Sequence, residues 1–265
     1  MKYFTILEPP SKEAVRVFAE KRNLASYLAE SYQHPQEDFL IASDKPPVFV
    51  VSDGVTLNIA ELVKSNRKYP NPSPAGDISR IFCEAVVKHV KEIYETFNEE
   101  DTVDIFKYAN CEIHRYNEKI GKSDISGNVT GYYSATGSFA VIKGTKAYWA
   151  SICDSFIAHF DSEMNLRFMS CGLCQPYAVI NGEERMADHL GSGVLDLAKG
   201  DRLFVFTDGY EYYMRNSAFL KLFKEWDENL KDRILRFSQE ANLEDPEKYG
   251  HERSLIAVLL RMCKS

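Results

Sequence analysis

Two stretches decide how this chain is read: Val50-Val51-Ser52-Asp53-Gly54 near its start and Val205-Phe206-Thr207-Asp208-Gly209 near its end. Each is an apolar run followed by Ser or Thr and then Asp-Gly. A continuous apolar run of this kind predicts a strand buried on both faces. The carboxylate then leaves a rigid backbone, and the glycine lets an ion or another group approach the main chain closely. Asp-Gly after a strand is also a common hairpin signal, so either stretch alone says little. Two copies of the whole pattern argue for a shared task.

Working outward, Glu37-Asp38 enters the run Phe39-Leu40-Ile41, and Asp154-Ser155 leaves a strand predicted over Tyr148 to Cys153. All four acidic positions therefore fall at strand edges. Hard divalent cations such as Mg²⁺ or Mn²⁺ take oxygen ligands, typically a few carboxylates with backbone carbonyls and water. Carboxylates from neighbouring strands can converge on such an ion, or can simply be solvated, and spacing does not separate the two.

Further strands are predicted over Phe39 to Ser43, Val48 to Ser52, Phe139 to Lys143, Lys146 to Cys153, Phe156 to Phe160, Leu166 to Met169, Leu203 to Thr207 and Leu255 to Leu260. Gly144-Thr145 and Asp161-Ser162-Glu163 stand where hairpin turns belong, which implies antiparallel neighbours. Between the strand-rich halves, Ile81, Phe82, Ala85, Val86, Val90, Ile93, Tyr94 and Phe97 recur at helical spacing, followed by Phe106, Ala109, Ile113, Tyr116 and Ile120. They predict an antiparallel helix pair, with Asp101 or Thr102 as the second N-cap and Gly121 as its stop. Later helices are expected around Phe219, Leu220, Phe223 and Trp226, and over Ile234 to Ala241. The stretch from Tyr69 to Gly76, with three prolines, reads as a surface loop. The pattern is α+β: one domain over residues 1–265, with helices covering an antiparallel β core.

Composition removes several alternatives. The chain has 265 residues, 45% of them apolar, and 39 acidic against 32 basic residues give a formal charge of −7. Such a balance, without a basic block, argues against a nucleic-acid surface. The start lacks the apolar core of a secretory signal, and no run reaches the roughly 18 apolar residues of a bilayer span. A cytoplasmic protein with no membrane contact is expected. The six cysteines are then expected as reduced thiols. Cys171-Gly172-Leu173-Cys174 has redox or half-zinc-site spacing, but no second Cys-x-x-Cys or His pair completes it, so it reads as a turn with buried thiols.

In their order, these stretches resemble the metal-dependent protein phosphatases of the 2C type, over roughly Tyr32 to Met262. Gln36-Glu37-Asp38 is similar to the family's Asn-Glu-Asp element, Val51-Ser52-Asp53-Gly54 to its first Asp-Gly, and Ala135-Thr136-Gly137-Ser138 to its Gly-Thr-Thr strand start. Ile152-Cys153-Asp154-Ser155 resembles Val-Gly-Asp-Ser, Phe206-Thr207-Asp208-Gly209 resembles Ser-Asp-Gly, and His251-Glu252-Arg253-Ser254 matches the final Asp-Asp/Asn-x-Thr/Ser. The resemblance implies a β-sandwich of two antiparallel sheets flanked by helix pairs, with two Mg²⁺ or Mn²⁺ ions at one end. It implies that Asp53 bridges the ions, that the Gly54 carbonyl binds one, and that Asp208 binds the other. Glu37 and Asp38 would hold metal-bound waters, and Asp154 would serve a third position beside Asp208. A metal-activated water would attack phosphoserine or phosphothreonine of a protein substrate, with Asp38, Asp53 and Asp208 as the catalytic set. No protein nucleophile is then needed, in keeping with the lack of a Gly-x-Ser-x-Gly elbow, a P-loop or a dinucleotide turn.

Departures mark a divergent branch. His251 stands at the family's metal-binding Asp, with Glu252 beside it as the alternative ligand. Gln33, followed by His34, stands where an Arg normally forks onto phosphate, which makes this pair the substrate-facing candidates. Cys153 replaces a glycine. A second reading follows from these three: a pseudophosphatase that keeps the fold as a binding or regulatory module.

Overall fold

Residues 1–28, 32–172 and 174–260 are described by the computed structural model, so Met262, at the far end of the resembling span, and Cys263 lie outside them. Along the chain run β1 (Lys2–Glu8), α1 (Lys12–Lys21), β2 (Phe39–Asp44), β3 (Pro47–Gly54), α2 (Ile59–Lys64), α3 (Pro74–Ile93) and α4 (Asp101–Ile120). They are followed by β4 (Ala135–Lys143), β5 (Lys146–Ile152), β6 (Phe156–Phe160), β7 (Leu166–Met169), β8 (Gly191–Asp196), β9 (Arg202–Phe206), α5 (Glu211–Met214), α6 (Ser217–Lys221), α7 (Leu230–Glu244), α8 (Pro246–Tyr249) and β10 (Arg253–Leu259). Among these residues no helix is long and apolar enough to cross a membrane.

The strands form two five-stranded sheets, β1-β10-β9-β6-β7 and β2-β3-β4-β5-β8, with every neighbouring pair antiparallel. The two Asp-Gly strands, β3 and β9, are interior strands of opposite sheets, which is why their apolar runs do not alternate. Phe49, Val51 and Ala140 of one sheet pack against Ile157, Val205 and Ile256 of the other. On the outer face of the second sheet, α3 and α4 bury Phe82, Val86, Phe106 and Ile113 against Val50 and Phe139. Outside the first, Phe219, Phe223 and Ile234 close over Phe204, Phe206 and Leu255. The result is helices, sheet, sheet, helices, as the resemblance implies.

Several local expectations shift. α3 begins inside the proline-rich stretch, because Pro74 occupies its first turn and Ser73 caps it. Tyr69, Ser73 and Ala75 are buried, so this stretch is not a surface loop throughout. The residue before α4 is Glu100, without a side-chain cap bond; Asp101 is already helical and accepts from the Asn98 N–H. Gly121 ends α4 at φ 79° as expected. β1, β8, α1, α2, α5 and α8 are additional elements, β1 and β8 being half-exposed edge strands.

The expectation of reduced, buried thiols fails at one pair. Cys153 and Cys174 form a disulfide with Cα atoms 4.5 Å apart, and Cys171 is a free, exposed thiol. Spacing along the chain could not show it, because the turn leaving β5 and the segment after β7 meet only in the folded molecule.

Candidate functional site

Sheet register assembles the carboxylates. Phe39 opposes Ser52 across β2 and β3, so Asp38 enters its strand where Asp53 leaves the neighbouring one. Asp53 opposes Thr136, and Gly137 opposes Ile152, so β5 runs parallel to β3 and delivers Asp154 at the same end. In the facing sheet Leu255 opposes Phe206, which places Glu252 ahead of β10 beside Asp208 after β9. Asp38, Asp53, Asp154, Asp208 and Glu252 thus meet at one end of the sandwich.

Two glycines permit this closeness. A Cβ on Gly54 would lie 2.8 Å from the backbone carbonyl of Ala75, at the start of α3. One on Gly209 would lie 2.1 Å from the Glu252 carbonyl oxygen. The residues before each Asp also have work. Thr207 Oγ1 donates to Asp38 Oδ2 at 2.7 Å and accepts from the Ser254 N–H at 2.9 Å. Ser52 Oγ donates to the Thr136 carbonyl at 2.6 Å.

The cluster resists ionisation. Burial, then the charge of Glu252, pushes Asp38 well above the usual carboxylate range. Burial, then the charges of Asp38, Asp208 and Asp154, does the same to Asp53. Asp208 rises to about 7 through burial and then Asp154, and Glu252 rises to about 7 chiefly through burial. Asp154 is raised, again by burial first. Asp38 Oδ1 and Asp154 Oδ1 are buried without a hydrogen-bond partner. Crowded carboxylates with orphaned oxygens are a donor set that fits hard divalent ions, which would supply the missing positive charge.

Other candidates face elsewhere. Glu37 is 1% exposed. Its Oε1 accepts from Tyr69 Oη at 2.8 Å and from the Ser73 hydroxyl, while Oε2 lies 3.0 Å from His34 Nε2. Its carboxylate is therefore engaged by protein groups on both oxygens. His34 also meets Tyr32 Oη through Nδ1 at 2.8 Å, and its pKa is raised by Glu37 against the opposing effect of burial. Glu252 Oε1 accepts from the backbone N–H groups of Glu37 at 2.6 Å and Asp38 at 2.7 Å, and from the Gln36 side chain. Gln33 is exposed on the wall of a cleft against α1. His251 is exposed and its Nε2 meets the Glu247 carbonyl, so it is not brought into the carboxylate cluster.

Sequence reasoning missed Tyr69, Ser73 and the Thr207 hydroxyl as supporting groups. Only Ser73-Pro74, a capping residue followed by a helix-starting proline, carried a readable signal.

The family model described as Protein phosphatase 2C matches residues 29–245. No curated protein sequence matches the chain. Among solved structures, a bacterial serine phosphatase bearing an arginine-to-alanine mutation superposes with a TM-score of 0.62 at 12% identity, covering 97% of this chain and 96% of that one. The photosystem II phosphatase PBCP gives 0.61 at 15% identity, with 98% and 99% covered. The catalytic domain of the serine/threonine protein phosphatase PstP, in complex with 2 manganese ions, gives 0.58 at 12% identity, with 97% and 96% covered. At these identities the structural likeness speaks for the fold.

Proposed function

The chain belongs to the protein phosphatase 2C family, and we propose that it hydrolyses phosphoserine and phosphothreonine in protein substrates, as one catalytic domain, with two Mn²⁺ or Mg²⁺ ions and a third position beside them. The observation that carries this reading is the convergence of Asp38, Asp53, Asp154, Asp208 and Glu252, two with orphaned buried oxygens. The manganese ions of PstP support the choice of metal.

Asp53, the Gly54 carbonyl, Asp208 and Asp154 would hold the ions. Asp38 and Glu37 are the candidates for ordering bound water, and Asp38 is the better placed, because both Glu37 oxygens are engaged. Glu252, not His251, is the candidate for the missing ligand, through the Oε2 that its backbone bonds leave free. Bound here, divalent ions supply a water that is acidic near neutral pH and neutralise charge on the phosphoryl oxygens. The chain's own contribution is orientation: Thr207 holds Asp38, Ser52 ties β3 to β4, and the Glu37 and Asp38 N–H groups hold Glu252. Gln33 and His34 would meet the substrate, Gln33 more freely, since both His34 nitrogens have partners.

A second reading, the pseudophosphatase, is favoured by His251 pointing to Glu247 and by Glu252 spending one oxygen on the backbone. Hydrolysis of an aryl phosphate and of a phosphothreonine peptide, with Mn²⁺, Mg²⁺ or chelator, separates the two. Activity that needs metal and disappears in Asp53→Asn and Asp208→Asn supports the enzyme. No turnover, with no Mn²⁺ binding by calorimetry, supports the module, and turnover in chelator contradicts the mechanism.

A further inference from the structure

The Cys-x-x-Cys stretch that lacks a second half along the chain acquires one in three dimensions. The turn leaving β5 carries Cys153 at φ 56°, a left-handed conformation unusual for a residue with a side chain. Cys174 is bonded to it, and Asp154 offers an oxygen such that the three ligand atoms lie within 4.8 Å of one another. The segment carrying Cys174 sits directly on this turn: a Cβ on Gly172 would lie 2.0 Å from the Cys153 carbonyl oxygen. Independently, Asp154 Oδ1 is buried with no partner.

We infer that, once the disulfide is reduced, Cys153, Cys174 and Asp154 form a site for a thiolate-seeking divalent ion of the zinc class. Two thiolates and a carboxylate are three of the four ligands of a tetrahedral zinc site, and water completes it. The disulfide is the gate. A dithiol reductant supplies two electrons and two protons, the Cys153–Cys174 bond breaks to two thiols, and the reductant leaves as its own disulfide. The ion then displaces the two thiol protons, and the sulfurs settle about 3.8 Å apart, the edge of a tetrahedron with Zn–S bonds of about 2.3 Å. Such an ion also draws on Asp154, which the carboxylate cluster shares. That consequence for hydrolysis rests on the proposed function; the binding itself does not.

The test uses the full chain carrying Asp53→Asn and Asp208→Asn, so that the carboxylate centre no longer competes. Reduced and oxidised protein are titrated with Zn²⁺ against a chromophoric chelator, and with Co²⁺, whose thiolate complexes absorb in the near ultraviolet. The reduced protein is expected to bind one Zn²⁺ at least about 100-fold more tightly than the oxidised one, and to show the cobalt–thiolate band. Cys153→Gly, which suits φ 56° and so should fold, and Cys174→Ser should each lose the band. Equal Zn²⁺ affinity in both redox states, or a band that survives Cys153→Gly, overturns the site. Failure of phosphatase activity in the unsubstituted chain would bear only on the proposed function.

Discussion

The Thr207 hydroxyl donates to Asp38 Oδ2 at 2.7 Å, joining the end of one sheet to the start of the other. Thr207 Oγ1 also accepts the Ser254 N–H at 2.9 Å, so one side chain links β2, β9 and β10 at the mouth of the carboxylate cluster. Thr207→Val keeps the shape but strands the Ser254 N–H and leaves Asp38 without its partner. Metal-free protein should lose about 1–3 kcal/mol in urea unfolding, and Mn²⁺ affinity should fall roughly 10–100-fold by calorimetry. Thr207→Ser should preserve both, and a valine variant as stable as the parent would refute the clasp.

Gly209 has a steric duty. With the Glu252 carbonyl oxygen 2.1 Å from an added Cβ, Gly209→Ala forces backbone to move and should cost about 3 kcal/mol or more. Gly121, at φ 79° with nothing within 4 Å, provides the contrast: Gly121→Ala should cost only about 1 kcal/mol, from backbone strain alone. Thermal unfolding of the two variants should rank them in this order.

Burial and like charges raise Asp208 and Glu252 to about 7, whereas the unfolded chain releases these protons near pH 4. Between those values the folded state holds more protons than the unfolded one, so the free energy of unfolding falls as pH rises. In chelator, the midpoint of thermal unfolding should drop on the order of 5 °C between pH 5 and pH 7.5. Mn²⁺ should reverse the drop, and Asp208→Asn should flatten it. A midpoint that rises over this interval in chelator would contradict the crowded-carboxylate description.

Glu37 is held by Tyr69 and Ser73 at the same oxygen, and Tyr69 Oη also accepts the Leu57 N–H at 3.0 Å. Tyr69→Phe should cost about 1–3 kcal/mol, since it leaves a buried carboxylate short of a donor and an N–H unpaired. Ser73→Ala removes a second donor together with the cap of α3, at about 1–2 kcal/mol. Because the two hydroxyls share one oxygen, a double-mutant cycle should show coupling of roughly 0.5–3 kcal/mol. Strict additivity would mean that they act separately.

Much of the sheet framework was legible. Phe156–Phe160 and Leu166–Met169 were delimited to the residue, since turn formers over Asp161 to Asn165 separate them. The later helix expected around Phe219 to Trp226 proved to be α6 followed by a short 3₁₀ turn over Leu222–Lys224, with Phe219 and Phe223 buried all the same. Spacing reports which side chains face the core better than it reports backbone winding. β8, Gly-Ser-Gly-Val-Leu-Asp, escaped because its two glycines and serine read as a loop, whereas β1 carries β-forming residues that the sequence reading passed over.

The candidate site divides along the same line. Local pattern sufficed to single out Asp53 and Asp208, because a buried strand ending in Asp-Gly is a short-range feature and occurs twice. Strand-edge position likewise singled out Glu37-Asp38 and Asp154, and residue order compared with a known family added His251 and Glu252 as alternatives. Only the tertiary structure shows where those two side chains go, turning His251 to the Glu247 carbonyl and Glu252 to the N–H groups of Glu37 and Asp38. Adjacent residues entering a strand point to opposite sides, and which side meets the cluster depends on register against β9. The Cys153–Cys174 bond and the Thr207–Asp38 clasp, which span 21 residues and both sheets respectively, likewise exist only where distant segments meet.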